Sequence, residues 1–332
     1  MTDTALRRTH ADGEVDRSTD STSDEAILRE VRDGLSRPQK ELSPKYFYDR
    51  RGSELFERIT ALPEYYLTRT ERALLARWIP DWISAQRPAT LVELGAGSAE
   101  KTRILLDAML RERRDAVYVP VDVSAEFLRA TADRLRESYP DMEVRPAIAD
   151  ISEDFDLAAG EAAPVLHAFL GSTIGNFAPQ PANRLLRSVR RGMDEDDRFV
   201  VGVDLRKDVE TIEAAYNDAA GVTAEFNRNM LLVLNDRTGA DFDPESFEHR
   251  AFYNREDHRI EMHLLARRAH TVTVPGAGSW AFEEGETIRT EISCKHDRRS
   301  MESMLGAADL LIERWETDPD GRYAILLARP SP

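Results

Sequence analysis

The chain has 332 residues, 41% of them hydrophobic, a formal net charge of −16 and a single cysteine, Cys294. That length predicts one or two domains around a large core. The acidic balance argues against nucleic acid, whose phosphates call for a basic footprint, and one cysteine excludes an internal disulfide or a cysteine-built zinc site.

Residues 1 to 22 are polar and rich in Thr, Asp and Ser, too poor in apolar surface to offset ordering entropy, and read as a disordered tail with no apolar core for a signal peptide. No stretch approaches the roughly 18 to 20 consecutive apolar residues of a membrane span. A cytoplasmic protein without membrane attachment is therefore expected. Asp24 to Leu35 predicts an amphipathic helix through Ile27, Leu28, Val31 and Leu35. The segment after it is dense in aromatics: Tyr46, Phe47, Tyr48, Phe56, Tyr65 and Tyr66. Phe47 and Phe56 read as core, whereas tyrosines beside Pro and Gly turns are candidates for a site, because a buried phenol needs a partner.

A helix is expected over Thr70 to Ala85, then the stretch TLVELGAGSAEKT, residues 90 to 102. Leu91, Val92 and Leu94 predict a buried strand, Gly95 and Gly97 a loop of close backbone approach, and Ser98 the cap of a helix from Ala99 to Leu110. A dinucleotide fingerprint would put a third glycine at position 100, where Glu100 stands, and no Walker lysine follows. This loop suits S-adenosylmethionine, which has no phosphates. A Rossmann dehydrogenase and a non-catalytic α/β domain are the rivals.

Val117 to Val121 predicts a second strand ending in Asp122, positioned either to accept from a ribose diol or to cap the helix from Ala125 to Tyr139. A short strand near Met142 to Ala147 leads to Asp150 and Ile151, an acid and an apolar contact suited to adenine. Val165 to Leu170 is a fourth strand opening into GSTIGNF, residues 171 to 177, whose glycines, hydroxyls and amide lie where α/β folds bind ligands. A helix at Pro181 to Arg191 and a fifth strand, Phe199 to Val203, follow. Beyond Lys207 the pattern turns to helices at Val209 to Ala220 and Thr223 to Leu234. Alternating segments at His249 to Tyr253, Ile260 to Arg268 and Thr271 to Val274 then read as an antiparallel α+β insertion. Leu310 to Thr317 and Tyr323 to Leu327 form a closing hairpin. Glu291 and Ser293, two apart, share one face of an extended segment, where they could hold the N–H and the bare nitrogen of an imidazole or simply line an edge strand.

From about Ser43 to the end, the chain resembles the histidine Nα-methyltransferases of ergothioneine biosynthesis. The resemblance lies in PKYFYD, LPEYYLTR, LVELGAGSAEKT, FLGSTIGNF, AGVTAEFNRN and RTEIS. It implies a Rossmann-like class I methyltransferase sheet in an α/β fold, with a smaller α+β substrate-binding domain. The domains would be 70–206 with 296–332 and 23–69 with 207–295. The implied reaction is S-adenosylmethionine-dependent trimethylation of the α-amino group of L-histidine to hercynine, without a metal, by a monomer. The resemblance assigns the methyl donor to Gly95, Lys101, Asp122, Asp150, Ile151 and the backbone around Gly171. It assigns the histidine carboxylate to Asn176 and Tyr216, the reacting amine to Tyr48, and the imidazole to Tyr65, Met262, Glu291 and Ser293. Ile151 departs from the Phe expected in some relatives. A methyltransferase of another amino acid, such as tryptophan, or of a small amine would keep the cofactor residues and change the pocket around Met262 and Glu291.

Overall fold

The computed structural model describes residues 18–151, 155 and 161–332. Along the chain, α1 (Ser18–Leu35), β1 (Lys40–Glu41), α2 (Arg50–Thr60) and α3 (Tyr66–Gln86) come first. Strands and helices then alternate through β2 (Thr90–Leu94), α4 (Arg103–Glu112), β3 (Val117–Asp122), α5 (Ala125–Ser138), β4 (Glu143–Val144) and β5 (Ala147–Ile148). The alternation continues with β6 (Val165–Phe169), α6 (Pro179–Arg191) and β7 (Arg198–Asp204). Next are α7 (Val209–Ala214), α8 (Val222–Thr238) and five strands: β8 (Phe247–Asn254), β9 (Arg259–Ala266), β10 (His270–Val274), β11 (Gly278–Phe282) and β12 (Thr287–Cys294). The chain closes with α9 (Arg298–Gly306), β13 (Leu310–Thr317) and β14 (Tyr323–Pro330).

Among the described residues the large sheet runs β13-β14-β7-β6-β2-β3-β4, with β5 also beside β3. The strands from β7 to β4 are parallel, and the β13–β14 hairpin joins β7 antiparallel. Strand order reverses at β2, with β3 on one side and β6 on the other, so the crevice for a ligand lies at their carboxyl ends. Alternation along the strands gives each face its own core. Leu91, Tyr118, Leu166 and Val200 pack in one apolar cluster with residues of α3 and α4; Val92, Val119, Phe199 and Val201 pack in another with residues of α6 and α9. The second sheet, β1-β12-β9-β8, and the β10–β11 ribbon draw all their strands from residues 40–41 and 247–294. They share the first of those two cores with α8. No helix of the described residues is long and apolar enough to cross a membrane.

Several expectations shift. The strand expected near Met142 to Ala147 is two, β4 and β5, broken at Arg145 and Pro146, and the helix expected from Thr70 begins at Tyr66. Residues 1–17 of the expected tail lie outside the described residues, but Ser18 to Asp24 already belong to α1. The helix after the glycine loop starts at Arg103 rather than Ala99, because the left-handed backbone of Gly95, Gly97 and Ala99 prolongs the loop, and Thr102 rather than Ser98 stands at the N-cap. The helix expected to reach Ala220 ends at Ala214, since the Asp218 carboxylate accepts from the N–H groups of Val222 and Thr223 and starts α8 instead. Tyr216 therefore lies in a turn.

Candidate active site

The glycine loop is tied to the end of β3 by backbone and by Asp122. Gly95 N–H and Ala96 N–H donate to Val121 O, at 2.8 and 3.2 Å. The Asp122 carboxylate accepts from Gly97 N–H at 3.2 Å and Ser124 N–H at 3.1 Å. Asp122 thus braces the glycine loop and the chain just ahead of α5. Nothing lies within 4 Å of where a Cβ would stand on Gly97, so the loop leaves open space on that side. Ile151 Cδ1 lies 4.0 Å and Phe169 Cε2 3.9 Å from the equivalent point on Gly95. Asp150 is half-buried just before it. Val123 and Ile148, beside Asp122 and Asp150, leave about half their apolar surface open, at 50% and 51%. Such a donor set, an acid flanked by apolar surface over a bare glycine backbone, fits a ribose, an adenine and an amino-acid tail.

Lys101 and Gly171 converge through a residue that sequence reasoning missed. Glu71, on α3 and fully buried, pairs with Lys101 Nζ, and its other oxygen accepts from Gly171 N–H and Tyr323 Oη, both at 2.7 Å. Gly171 N–H is thereby spent inside the protein, leaving its carbonyl for a ligand. Gly202 makes this possible, because a Cβ there would stand 1.9 Å from Glu71 Oε1.

The other expected residues meet at the junction of the two sheets. β12 pairs antiparallel with β9 through a register shift between Arg289 and Glu291, which puts Glu291 opposite Met262 and Ser293 opposite Ile260. The turn Thr173–Asn176 lies flat on β12: a Cβ on Gly175 would be 2.7 Å from Cys294 O, and this close approach sets Asn176 beside the strand. The side-chain amide of Asn176 has no hydrogen bond to the described residues and is half-buried, so its donors and acceptor are available. Rings continue the wall: Tyr48 to Phe56 at 5.9 Å, Phe56 to Tyr65 at 6.3 Å and Tyr65 to Tyr216 at 6.4 Å between centroids, each edge to face.

Burial pushes the Glu291 carboxyl up to about 7, against the pull of Lys295. Burial also raises the Tyr48 phenol, followed by the charges of Glu291 and Asp122 and by Tyr216. Although 45% of Tyr48 as a whole is open to water, burial around its hydroxyl and the neighbouring carboxylates push in the same direction. Tyr65 is raised by burial, then by Tyr216, Tyr48 and Glu291. The ring contacts and the 3.0 Å hydrogen bond from Tyr216 Oη to Ser293 Oγ set Tyr48, Tyr65 and Tyr216 along one space beside β12.

A buried ionic group behind that space was also missed. The carboxylate of Asp204, at the end of β7, accepts from Tyr66 Oη at 2.8 and 2.9 Å, Lys207 Nζ at 2.6 Å and Lys295 Nζ at 2.8 Å. Burial alone would raise its pKa, but the two lysines overcome burial and hold it below the usual range. Burial drives Lys207 down to about 8, against Asp204. One sequence signal was available: of 45 basic residues only five are lysine, and three of these, Lys101, Lys207 and Lys295, pair with buried carboxylates here. Among the described residues no group of three or more His, Cys, Asp or Glu side chains could hold a metal ion.

Strand order, glycine loop and acids at the strand ends define a Rossmann-like S-adenosylmethionine-dependent methyltransferase. Residues 27–330 match the model of the family described as histidine-specific methyltransferase, SAM-dependent, and the chain belongs to that family. It is 43% identical over 308 residues to the histidine N-alpha-methyltransferase of Mycolicibacterium smegmatis, covering 92% of this chain and 95% of that protein. Identity to the protein of the same name from Mycobacterium tuberculosis is 42%, over 91% of this chain and 94% of that one. The ergothioneine biosynthesis protein 1 of Schizosaccharomyces pombe is 26% identical over 83% of this chain, which spans 37% of that longer protein.

Proposed function

We propose that this chain transfers methyl groups from S-adenosylmethionine to the α-amino nitrogen of L-histidine, ending at hercynine, the first step of ergothioneine biosynthesis. The observation that carries the reading is the pairing of Glu291 with Met262, with Ser293 two residues on, beside the tyrosine wall. An acceptor, an apolar side and a hydroxyl suit an imidazole better than an indole, which has no bare nitrogen. Asn176 and Tyr216 hold the carboxylate. Gly95, Lys101, Asp122, Asp150, Ile151 and the Gly171 carbonyl hold the methyl donor, with Val123 and Ile148 against its adenine. The substrate end comes from 23–69 and 207–295, and the donor end from 70–206 and 296–332. Support for a small-molecule partner, without nucleic acid or membrane, comes from the net charge of −16. The protein acts as a cytoplasmic monomer.

When bound, S-adenosylmethionine supplies an electrophilic methyl group on a sulfonium. The chain supplies alignment: holding the neutral amine in line with the bond to be broken is worth on the order of 7 to 11 kcal/mol. Tyr48, its pKa raised, keeps its proton at neutral pH, so its oxygen accepts from the amine N–H while water takes the proton that must leave before each transfer. Its ring face favours the growing methylammonium by cation–π attraction. The test is incubation of the purified protein with S-adenosylmethionine and each common amino acid, read by mass spectrometry. Trimethylated histidine as the dominant product is expected. A different amino acid methylated in preference would overturn the reading.

A further inference from the structure

Lys295 has more partners than charge balance requires. Lys207 already neutralises Asp204 at 2.6 Å, and Tyr66 Oη adds a donor to both carboxylate oxygens. Yet Lys295, 1% exposed just beyond β12, also reaches this carboxylate, and it donates to Ser293 Oγ at 2.8 Å and to Tyr216 Oη at 3.0 Å. The backbone of Asp204 is itself anchored, its N–H donating to Ser172 Oγ at 2.9 Å. An ammonium has three N–H groups and no lone pair, so these three contacts consume it and both hydroxyls must accept from it. Each hydroxyl has one proton. Across their 3.0 Å contact Tyr216 Oη donates to Ser293 Oγ, so Ser293 accepts from both Tyr216 and Lys295 and its own proton has to point elsewhere.

We propose that Lys295 is a positioning residue that, together with Tyr216, fixes the Ser293 hydroxyl as a donor toward the substrate, to the bare ring nitrogen. This rests on the placement of histidine given above. The consequence is a pocket of set polarity: a donor at Ser293 and an acceptor at Glu291, two residues apart on one strand, select the tautomer and the ring face that enter. A planar guanidinium, with its donors in a fork, would not serve three acceptors set around one point, which accounts for a lysine here in an arginine-rich chain.

The test uses Lys295→Met, Ser293→Ala and the double variant. The substrates are L-histidine and its pyrrole analogue, a 2-pyrrolylalanine that keeps a ring N–H and lacks the bare nitrogen. The wild type should favour histidine in kcat/KM by about 10- to 100-fold, the worth of one buried hydrogen bond. Each single variant should bring that ratio to within about threefold of unity, and the double variant should change it no further, because both act through one contact. If Lys295→Met lowers kcat/KM for the two substrates alike and keeps the wild-type ratio, Lys295 is only structural and the proposal fails. If Ser293→Ala keeps the ratio, or the wild type shows no preference, the ring is held elsewhere and the histidine placement itself fails. Binding of S-adenosylhomocysteine checks folding. Should the Met variant not bind it, Lys295→Gln, which retains a donor for Asp204, is read by the same ratio.

Discussion

Asp122 holds Gly97 and Ser124 by their backbone N–H groups, and in the proposed donor site its remaining lone pairs accept from a ribose. Asp122→Ala should therefore weaken S-adenosylmethionine binding by roughly 1.5 to 3 kcal/mol in calorimetry, the worth of a charge-assisted contact. Unchanged affinity would remove Asp122 from the donor site. Glu291 gives a pH signature. Its folded pKa of about 7 lies above its ordinary value of 4.5, so between those values the unfolded chain is ionised while the folded one holds its proton. The stability this contributes is complete below about pH 4.5 and is lost as pH rises through 7. Glu291→Gln abolishes the loss, so the Tm of the variant relative to wild type should climb from pH 5 to pH 8; a difference flat in pH would mean the carboxyl is not buried as described. At this scale the sequence was informative where a residue type was unusual for its setting, as with an acid at a strand end. It was silent on the long-range pairs of Glu71 with Lys101 and Tyr323 and of Asp204 with Lys295, whose partners lie 30 to 252 positions apart in the chain.

In the proposed function the pairing of β9 with β12 does for the substrate what the loop after β2 does for the donor. The alternation that put Glu291 and Ser293 on one face was legible, but the register that sets Glu291 against Met262 was not, because it depends on a bulge between Arg289 and Glu291. Glu291→Ala with Met262→Val should lower the kcat/KM ratio of histidine over tryptophan by at least about tenfold, since a lost ring hydrogen bond and a wider pocket both favour the larger ring. A ratio that holds would place the imidazole elsewhere. The turn Thr173–Asn176 is the second element to test. Gly175→Ala sets a methyl 2.7 Å from Cys294 O, a backbone atom that cannot swing aside. Overpacking of this kind costs about 1 to 3 kcal/mol, and by moving Asn176 it should raise KM for histidine while leaving S-adenosylhomocysteine affinity near wild type. Equal loss of both would show the turn to be a general brace rather than part of the substrate pocket.

Across the whole molecule, β2, β3, β6 and β7 were readable because each is a short apolar run that ends in acid or leads into glycine, and the fold follows from their order. The second sheet was only half legible. β11 and the length of β12 escaped because their exposed residues interrupt the alternation, whereas contact with β9 and β10 decides their pairing. The two sheets meet where His296 N–H donates to Asp204 O at 3.0 Å and Arg206 N–H to His296 O at 2.8 Å, next to the ion pair of Lys295 with Asp204. In the proposed reaction, methyl donor and amine are brought together at this seam. The carboxylate contact spans it, so histamine, which has the amine and the imidazole alone, should be a very poor substrate; turnover near that of histidine would remove Asn176 and Tyr216 from the carboxylate site. The central claim is that the seam presents the α-amine, and no ring nitrogen, to the methyl donor. The most direct measurement is long-range carbon–proton correlation NMR of the product formed from L-histidine and S-adenosylmethionine carrying a ¹³C-methyl group. The account predicts that every labelled methyl correlates with the α-proton, reaching three equivalent methyls at completion; labelled methyls correlating with ring protons would contradict it.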